Sequence, residues 1–509
     1  VRLEIGATKM PGLRLVSATR LQALAVLGAV AVSAANSDHS SASVASAPGS
    51  REQIALEPCR PAGFEEVVRC GTFVVPENRE LAGGRRISLR IVLLPARRTA
   101  VADPIVDIEG GPGASAVAAA RTFVESPLRR NRDLVFVDAR GTGGSGPLRC
   151  DYQDTQGVAS YLEDFLPLEG IRECRRALEA RADLTRYTSI DVVEDLEEVR
   201  RSLGAPQINL MASSGGTRTA LIYLRRYPGS VRSVVLQGPV PLDARIPLTF
   251  AADAQAALDG VLAECEAEAG CRQAFPALRQ DLAALWRRLE GGPVRATVED
   301  RATGSTQTVT LTRNAAAQVI RYMLYTPANA SALPRVIHLA AAGDLEPIGR
   351  MALSLGAIPS SISTGFYLSS TCSEDLPWIT ESATGPAAAG TFLGTYRYRQ
   401  QRDACAEWPR RMLPATHLEP VRSSTPTLIL VGERDPVTPP RWAHEVARHL
   451  SRSRVLIVPG GGHGFRGLIG FECVGAISAR FYDVPKPESL DTSCLAAAHR
   501  PAFQTKGGG

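Results

Sequence analysis

"QINLMASSGGTRTALIYLRR", residues 207–226, reads as a strand, a sharp turn of small residues and a helix. This passage decides the fold, because a serine at a tight strand-to-helix turn is how an α/β sheet presents a nucleophile. Such an elbow needs small residues two before and two after the serine, where backbone closes on backbone. Ser214 meets the condition with Ala212 and Gly216, whereas Ser213 would have Met211 behind it. Ser214 also stands at the start of the helix beginning near Gly216, whose dipole and free N–H groups favour developing negative charge. The pattern is A-x-S-x-G rather than G-x-S-x-G.

Outward from the elbow, short apolar runs end in turn residues: "PIVDIEG", "DLVFVD", "SVVLQG", "TLILVGE" and "VLIVPG". Near-continuous apolar runs of this length suit strands buried on both faces of a parallel sheet, and "RISLRIVLL" (86–94) alternates like a half-exposed strand. Between them, "SIDVVEDLEEVRRSLG" repeats Val192, Leu196, Val199 and Leu203 at helical spacing; Thr188 or Ser189 can cap its start and Gly204 can end it. Strands alternating with helices predict an open, mostly parallel α/β sheet with helices on both faces. The alternation stops between about 246 and 415, which is read as a mostly helical cap inserted into one α/β domain. The core is then expected over 58–245 and 416–500.

A serine hydroxyl needs a base and an orienting acid to attack at neutral pH. Downstream, "TLILVGERDPVTPP" places Asp435 just past a buried strand, and "PGGGHGF" places His463 in a glycine-rich loop after the next one. The order Ser, Asp, His at successive strand ends is the one an α/β-hydrolase sheet uses. Glu433 is the alternative acid, but it lies closer to the strand. "DIEGGPGAS" (107–115) follows an earlier strand, where backbone N–H groups near Gly110 and Gly111, with that of Gly215, can bind an oxyanion. In "VDARGTGGSGP", Asp138 and Arg140 are expected to support that loop.

Hydrophobic residues at 44% and charged residues at 21% describe an ordinary globular chain. Arg14 and Arg20, the apolar run Leu21–Val32 and then Ser33, Ala34 and Ala35 predict a secretory signal peptide over 1–34, with translation able to start at Met10. The run is too short for a membrane-spanning helix, which needs about 20 residues. A polar, Ser/Ala-rich linker is expected over 35–57. Without the leader the net charge is about +2, so neither nucleic acid nor an anionic membrane is indicated as a partner, and no stable membrane span remains. The ten cysteines, an even number in an exported chain, favour disulfides. They fall into the neighbouring pairs Cys59/Cys70, Cys150/Cys174, Cys265/Cys271, Cys372/Cys405 and Cys473/Cys494; sequence does not fix the connectivity, but local pairing closes short loops. No Cys-x-x-Cys or histidine cluster suggests a metal site, and no organic cofactor is implied.

"EGGPG", "DARGTGGS", "SSGGTR", "GERDPVTP" and "GGGHG" resemble, in order and spacing, the prolyl and tripeptidyl aminopeptidase family of α/β-hydrolases. The resemblance covers roughly residues 58–500. It implies Ser214 as nucleophile, Asp435 as acid, His463 as base, and Gly111 and Gly215 as oxyanion donors. In that family acidic cap groups commonly receive the substrate's free α-amino group, and "TCSEDLPW" offers Glu374 and Asp375. The chain departs from the family at Ala212, where glycine is usual, at Gly215, where an aromatic is common, and at Glu109, where prolyl enzymes often have histidine. The loss of the aromatic argues against strict proline recognition. The resemblance implies a secreted or periplasmic serine hydrolase, an exopeptidase cleaving short peptides from the N-terminus. Its competitors are a carboxylesterase of small esters with the same triad and, more remotely, a catalytically silent hydrolase fold used for binding. No oligomeric state is legible.

Overall fold

A computed structural model describes residues 53–150, 165–300, 304–355 and 361–506. The expected leader lies outside the described residues. Of the expected linker only residues 53–57 are described, and Glu57 already pairs with Cys70 in the sheet.

The sheet contains β1 (Glu57–Cys59), β2 (Val68–Pro76), β3 (Arg86–Leu94), β4 (Ile105–Ile108), β5 (Leu134–Val137), β6 (Ile208–Ser213) and β7 (Val231–Gln237). After β8 (Val294–Asp300) and β9 (Ser305–Leu311), which form a separate two-stranded sheet, it is completed by β10 (Thr427–Gly432) and β11 (Ser453–Val458). The order of the nine-stranded sheet is β1-β2-β3-β5-β4-β6-β7-β10-β11. β1, β2 and β3 join antiparallel, and β3 meets β5 antiparallel. From β5 onward every pair is parallel. This is the α/β-hydrolase fold that the strand-like runs predict.

Every residue of β4, β5 and β10 is buried, as helices on both faces require. The period of two then sorts each strand between two cores. Val106, Ile108, Val135, Val137, Ile429 and Val431 belong to one, and Ile105, Leu134, Phe136, Leu428 and Leu430 to the other. The helix Ser189–Ser202 starts from a capping box in which Thr188 and Asp191 satisfy each other's backbone amides.

Between β7 and β10 the chain leaves the sheet. Residues from Ala251 to Ala352 bury a separate apolar cluster together with Ala388, Phe392, Leu393 and Phe503, whereas Phe366, Tyr367, Leu368 and Trp408 pack into the core of the sheet. The interval is not purely helical, because it contains the β8–β9 hairpin. Its alternation was present in "VRATVED" and "STQTVTL": Ala296, Val298, Val309 and Leu311 face inward and polar residues lie between them. All ten cysteines are bonded, as Cys59–Cys70, Cys150–Cys174, Cys265–Cys271, Cys372–Cys405 and Cys473–Cys494. Among the described residues no helix is long and apolar enough to cross a membrane.

Candidate active site

β6 ends at Ser213 and the helix Gly216–Arg226 begins three residues later, so the turn between them is tight. Ser214 carries it at φ +50°, the only non-glycine positive φ among the described residues. A non-glycine residue held there stores strain, which here aims Oγ out of the sheet edge. Gly216 is required at its position, because a Cβ would collide with the backbone oxygen of Ile108 in β4.

Three parallel strands deliver the partners. β10 ends in the loop carrying Asp435, and β11 ends in the loop carrying His463. His463 Nε2 lies 3.0 Å from Ser214 Oγ, and its Nδ1 lies 2.9 Å from Asp435 Oδ2 and 3.1 Å from Oδ1. Asp435 is buried and well satisfied: it accepts from the amides of Val437 and Thr438, both at 2.8 Å, and from Thr438 Oγ1 at 2.7 Å. Burial alone would raise its pKa, but the charge and hydrogen bond of His463, with the bonds from Thr438, outweigh this and hold it below the usual carboxylate range. Glu433, the alternative acid, instead accepts from the amide of Gly460 at 3.0 Å. Gly238, at φ +57° after β7, lets the strand end pass beneath the group, since a Cβ there would sit 2.6 Å from Thr438 Oγ1.

The oxyanion-loop glycines close on the elbow from the β4 side. A Cβ on Gly215 would meet Pro112 N at 3.3 Å and Gly111 C at 3.5 Å. Among the described residues neither the Gly111 nor the Gly215 amide has a protein acceptor, which leaves both as donors beside Ser214. Asp138 holds the loop by accepting from Ser115 Oγ at 2.6 Å and from the amides of Val117 and Gly144. Arg140, fully buried, donates twice to Asp195 and to the backbone oxygens of Glu77 and Arg186. Both are supports of the framework.

Glu374 and Asp375 are not available to a substrate amine, which corrects the expectation drawn from the resemblance. Glu374 accepts from Ser189 N at 2.7 Å, Ser189 Oγ at 2.9 Å and Ser370 Oγ at 3.0 Å, with His417 Nε2 at 3.7 Å. Asp375 pairs with Arg218 at 2.6 Å and accepts from the amide of Ile246. Both are buried and bonded at the starts of the helices Ser189–Ser202 and Gly216–Arg226, Glu374 through both oxygens and Asp375 through Oδ1.

Tyr325 touches the Ser214–His463–Asp435 group and Asp253 interacts with it electrostatically, neither with a signature in the sequence. The Tyr325 ring stands edge-on to His463, with centroids 5.1 Å apart, and its carbonyl accepts from Gly464 N at 2.8 Å. Asp253, in the first turn of the helix Phe250–Ala267, is buried, pairs with Arg441 through Oδ1 and leaves Oδ2 without a partner. Burial pushes its pKa up to about 6 against the charge of Arg441, and the nearby charge of Asp435 adds to the rise.

The family model described as "alpha/beta hydrolase fold" matches residues 103–274, and that described as "TAP-like protein" matches 390–494. The Putative hydrolase YuaR of Escherichia coli K12 is 32% identical over 161 residues, 31% of this chain and 32% of its own. The Serine protease Hip1 of Mycobacterium tuberculosis is 27% identical over 247 residues, 43% of this chain and 46% of its own. These matches span less than half of the relatives' lengths. The Tripeptidyl aminopeptidase of Streptomyces lividans is 23% identical over 496 residues, 90% of this chain and 89% of its own. With the sheet order, the strained elbow and both matched segments in place, the chain has the α/β-hydrolase fold and matches the TAP-like family model over its C-terminal segment.

Proposed function

We propose that the protein is a serine hydrolase that releases residues from the N-terminus of short peptides through an acyl-enzyme. The observation that carries this reading is the unbroken run from Ser214 Oγ through His463 to the buried Asp435. With Nδ1–H donated to Asp435, Nε2 of His463 accepts the proton of Ser214 as Oγ attacks the substrate carbonyl. The oxyanion of the tetrahedral intermediate accepts from the amides of Gly111 and Gly215, each such donor contributing about 10²–10³ in rate. His463 then returns the proton to the leaving amine. A water deprotonated by the same Nε2 hydrolyses the acyl-Ser214 ester.

The relatives named as a serine protease and a tripeptidyl aminopeptidase support the peptidase side of this chemistry. For the free amine we assign Asp253: it is buried and pairs with Arg441 through Oδ1, but unlike Glu374 and Asp375 it leaves a buried oxygen, Oδ2, without a hydrogen bond, and its carboxyl group interacts electrostatically with Asp435. Five disulfides fit the periplasm or the external medium as its compartment.

The test uses one chromogenic tripeptide amide, with its N-terminus free or acetylated, on the wild type and Ser214→Ala. Preference for the free amine, with kcat lowered on the order of 10⁶-fold in the variant, is the expected result. Turnover of a p-nitrophenyl ester by Ser214 with no amide cleavage would make the protein a carboxylesterase. Failure of a fluorophosphonate to label Ser214 would make it a silent fold.

A further inference from the structure

Arg321 lies on the helix Arg313–Met323 of the segment inserted between β7 and β10, and it is 2% exposed. Its Nε and one terminal nitrogen are buried with no hydrogen-bond partner. The other buried arginines are all engaged. Arg140 and Arg218 pair with Asp195 and Asp375, Arg129 with Glu66, Arg132 with Asp103 and Asp483, and Arg397 donates to the Tyr367 hydroxyl. Arg321 has aromatic faces instead of an anion: its guanidinium carbon lies 4.4 Å from the ring centroid of Phe250, 5.3 Å from that of Tyr325 and 5.7 Å from that of Tyr322. Ring faces attract the cation, but they cannot accept the in-plane N–H groups.

A buried guanidinium whose N–H groups lack any hydrogen-bond partner is costly, which makes the unpaired donors of Arg321 a candidate for use by a ligand. Its position says what the use is. Tyr325, which stacks on Arg321, meets His463 with its edge, so the cation stands one aromatic ring away from the catalytic imidazole. Asp253 feels the charge of Arg321, yet the two form no ion pair, and Asp253 Oδ1 pairs with Arg441 instead. Gln318, one turn before Arg321 on the same helix face, also has an unpartnered oxygen. Arg321 therefore keeps free donors suited to a carboxylate, while Asp253 and Gln318 keep free acceptors.

We propose that Arg321 is a substrate subsite for a carboxylate, so that the preferred substrates are peptides presenting an anionic group close to the scissile bond. This rests on the serine-hydrolase reading of the same site. The carboxylate has two sources: an acidic side chain on a residue next to the cleaved bond, or the free C-terminus of a very short peptide. A planar guanidinium grips either one through paired hydrogen bonds.

The experiment measures kcat/KM for matched pairs on the wild type, Arg321→Met and Arg321→Lys. One pair is a tripeptide amide with Glu or Gln beside the scissile bond; the other is a free tripeptide with its C-terminus as acid or amide. The expected result is a wild-type preference of about 10- to 100-fold for the acid member of one pair. Arg321→Met should abolish this ratio and Arg321→Lys should keep part of it. The responding pair identifies the source. Equal rates within both pairs, or a ratio unchanged in Arg321→Met, would overturn the subsite. If no amide is cleaved, p-nitrophenyl hemisuccinate and p-nitrophenyl butyrate form the matched pair. An Arg321-dependent preference for the anionic ester then upholds the subsite while the peptidase reading fails, and equal rates overturn the subsite as well.

Discussion

Asp253 is a buried carboxylate that interacts electrostatically with Asp435, and the proposed amine site makes its protonation state measurable. With a pKa pushed up to about 6, it is protonated below that pH and cannot hold an ammonium there. KM for a free-amine peptide is therefore expected to fall as pH rises through about 6, while KM for the acetylated peptide stays flat. Asp253→Asn should remove the step and raise KM for the free amine by about 10- to 100-fold at pH 7, the worth of a charge-assisted hydrogen bond. Steady-state kinetics from pH 5 to 8 check this, and a step that survives in the variant would move the amine site elsewhere. Asp253 and Arg321 were not legible in the sequence, since both lie in helix-forming stretches whose pattern reports only an apolar face. Ser214, Asp435 and His463 were legible because each follows a strand, and strand ends of a parallel sheet converge. Glu374 and Asp375 misled for the opposite reason: their partners Ser189 and Arg218 lie 185 and 157 residues away. No local pattern shows that a carboxylate is already taken.

At the scale of an element, β4 carries an anomaly beside the oxyanion loop. Asp107 is buried in its middle with Oδ2 unpartnered, and Glu109 follows two residues later. Burial, with the charge of Glu109 added, holds the Asp107 pKa well above its ordinary value, and burial raises Glu109 as well. In the unfolded chain an aspartate ionises near ~4, so the native state keeps a proton that the unfolded state has lost. The stability this gives is complete below that pH and is lost as pH rises toward the native pKa. The melting temperature of the wild type should therefore fall between pH 5 and 8. Asp107→Asn, which cannot ionise, should flatten part of that slope and recover roughly 1–3 kcal/mol at pH 8. Calorimetry across this range checks it, and parallel slopes would show that Asp107 does not bear the cost. β4 itself was readable from "PIVDIEG" despite this carboxylate, because Ile105, Val106 and Ile108 outweigh one polar residue. The β8–β9 hairpin was not, since the helix formers before it dominated the reading of the whole interval.

Across the whole molecule, the disulfides distribute constraint unevenly. Cys265–Cys271 spans a separation of six residues within the inserted segment. Cys372–Cys405 spans 33 and ties the helix Thr364–Glu374 to the helix Tyr396–Glu407. Loop-closure entropy grows only logarithmically with length, so the longer bridge is worth about 3–4 kcal/mol and the shorter about 2–3. Their functional weight differs more. The helix held by Cys372 ends in Glu374, and Asp375 follows it; these carboxylates fix the start of the helix Ser189–Ser202 and, through Arg218, the helix that follows Ser214. Loosening that bridge therefore loosens the elbow, whereas loosening Cys265–Cys271 acts within the apolar cluster of the insertion. In the double variant Cys372→Ala/Cys405→Ala, hydrolysis of a small ester should be lost at lower urea concentration than bulk unfolding, as the elbow gives way first. In Cys265→Ala/Cys271→Ala, ester hydrolysis and intrinsic fluorescence should fall together, at a midpoint closer to that of the wild type. Coincident transitions in the first variant would mean that the Glu374 and Asp375 anchors hold without their bridge.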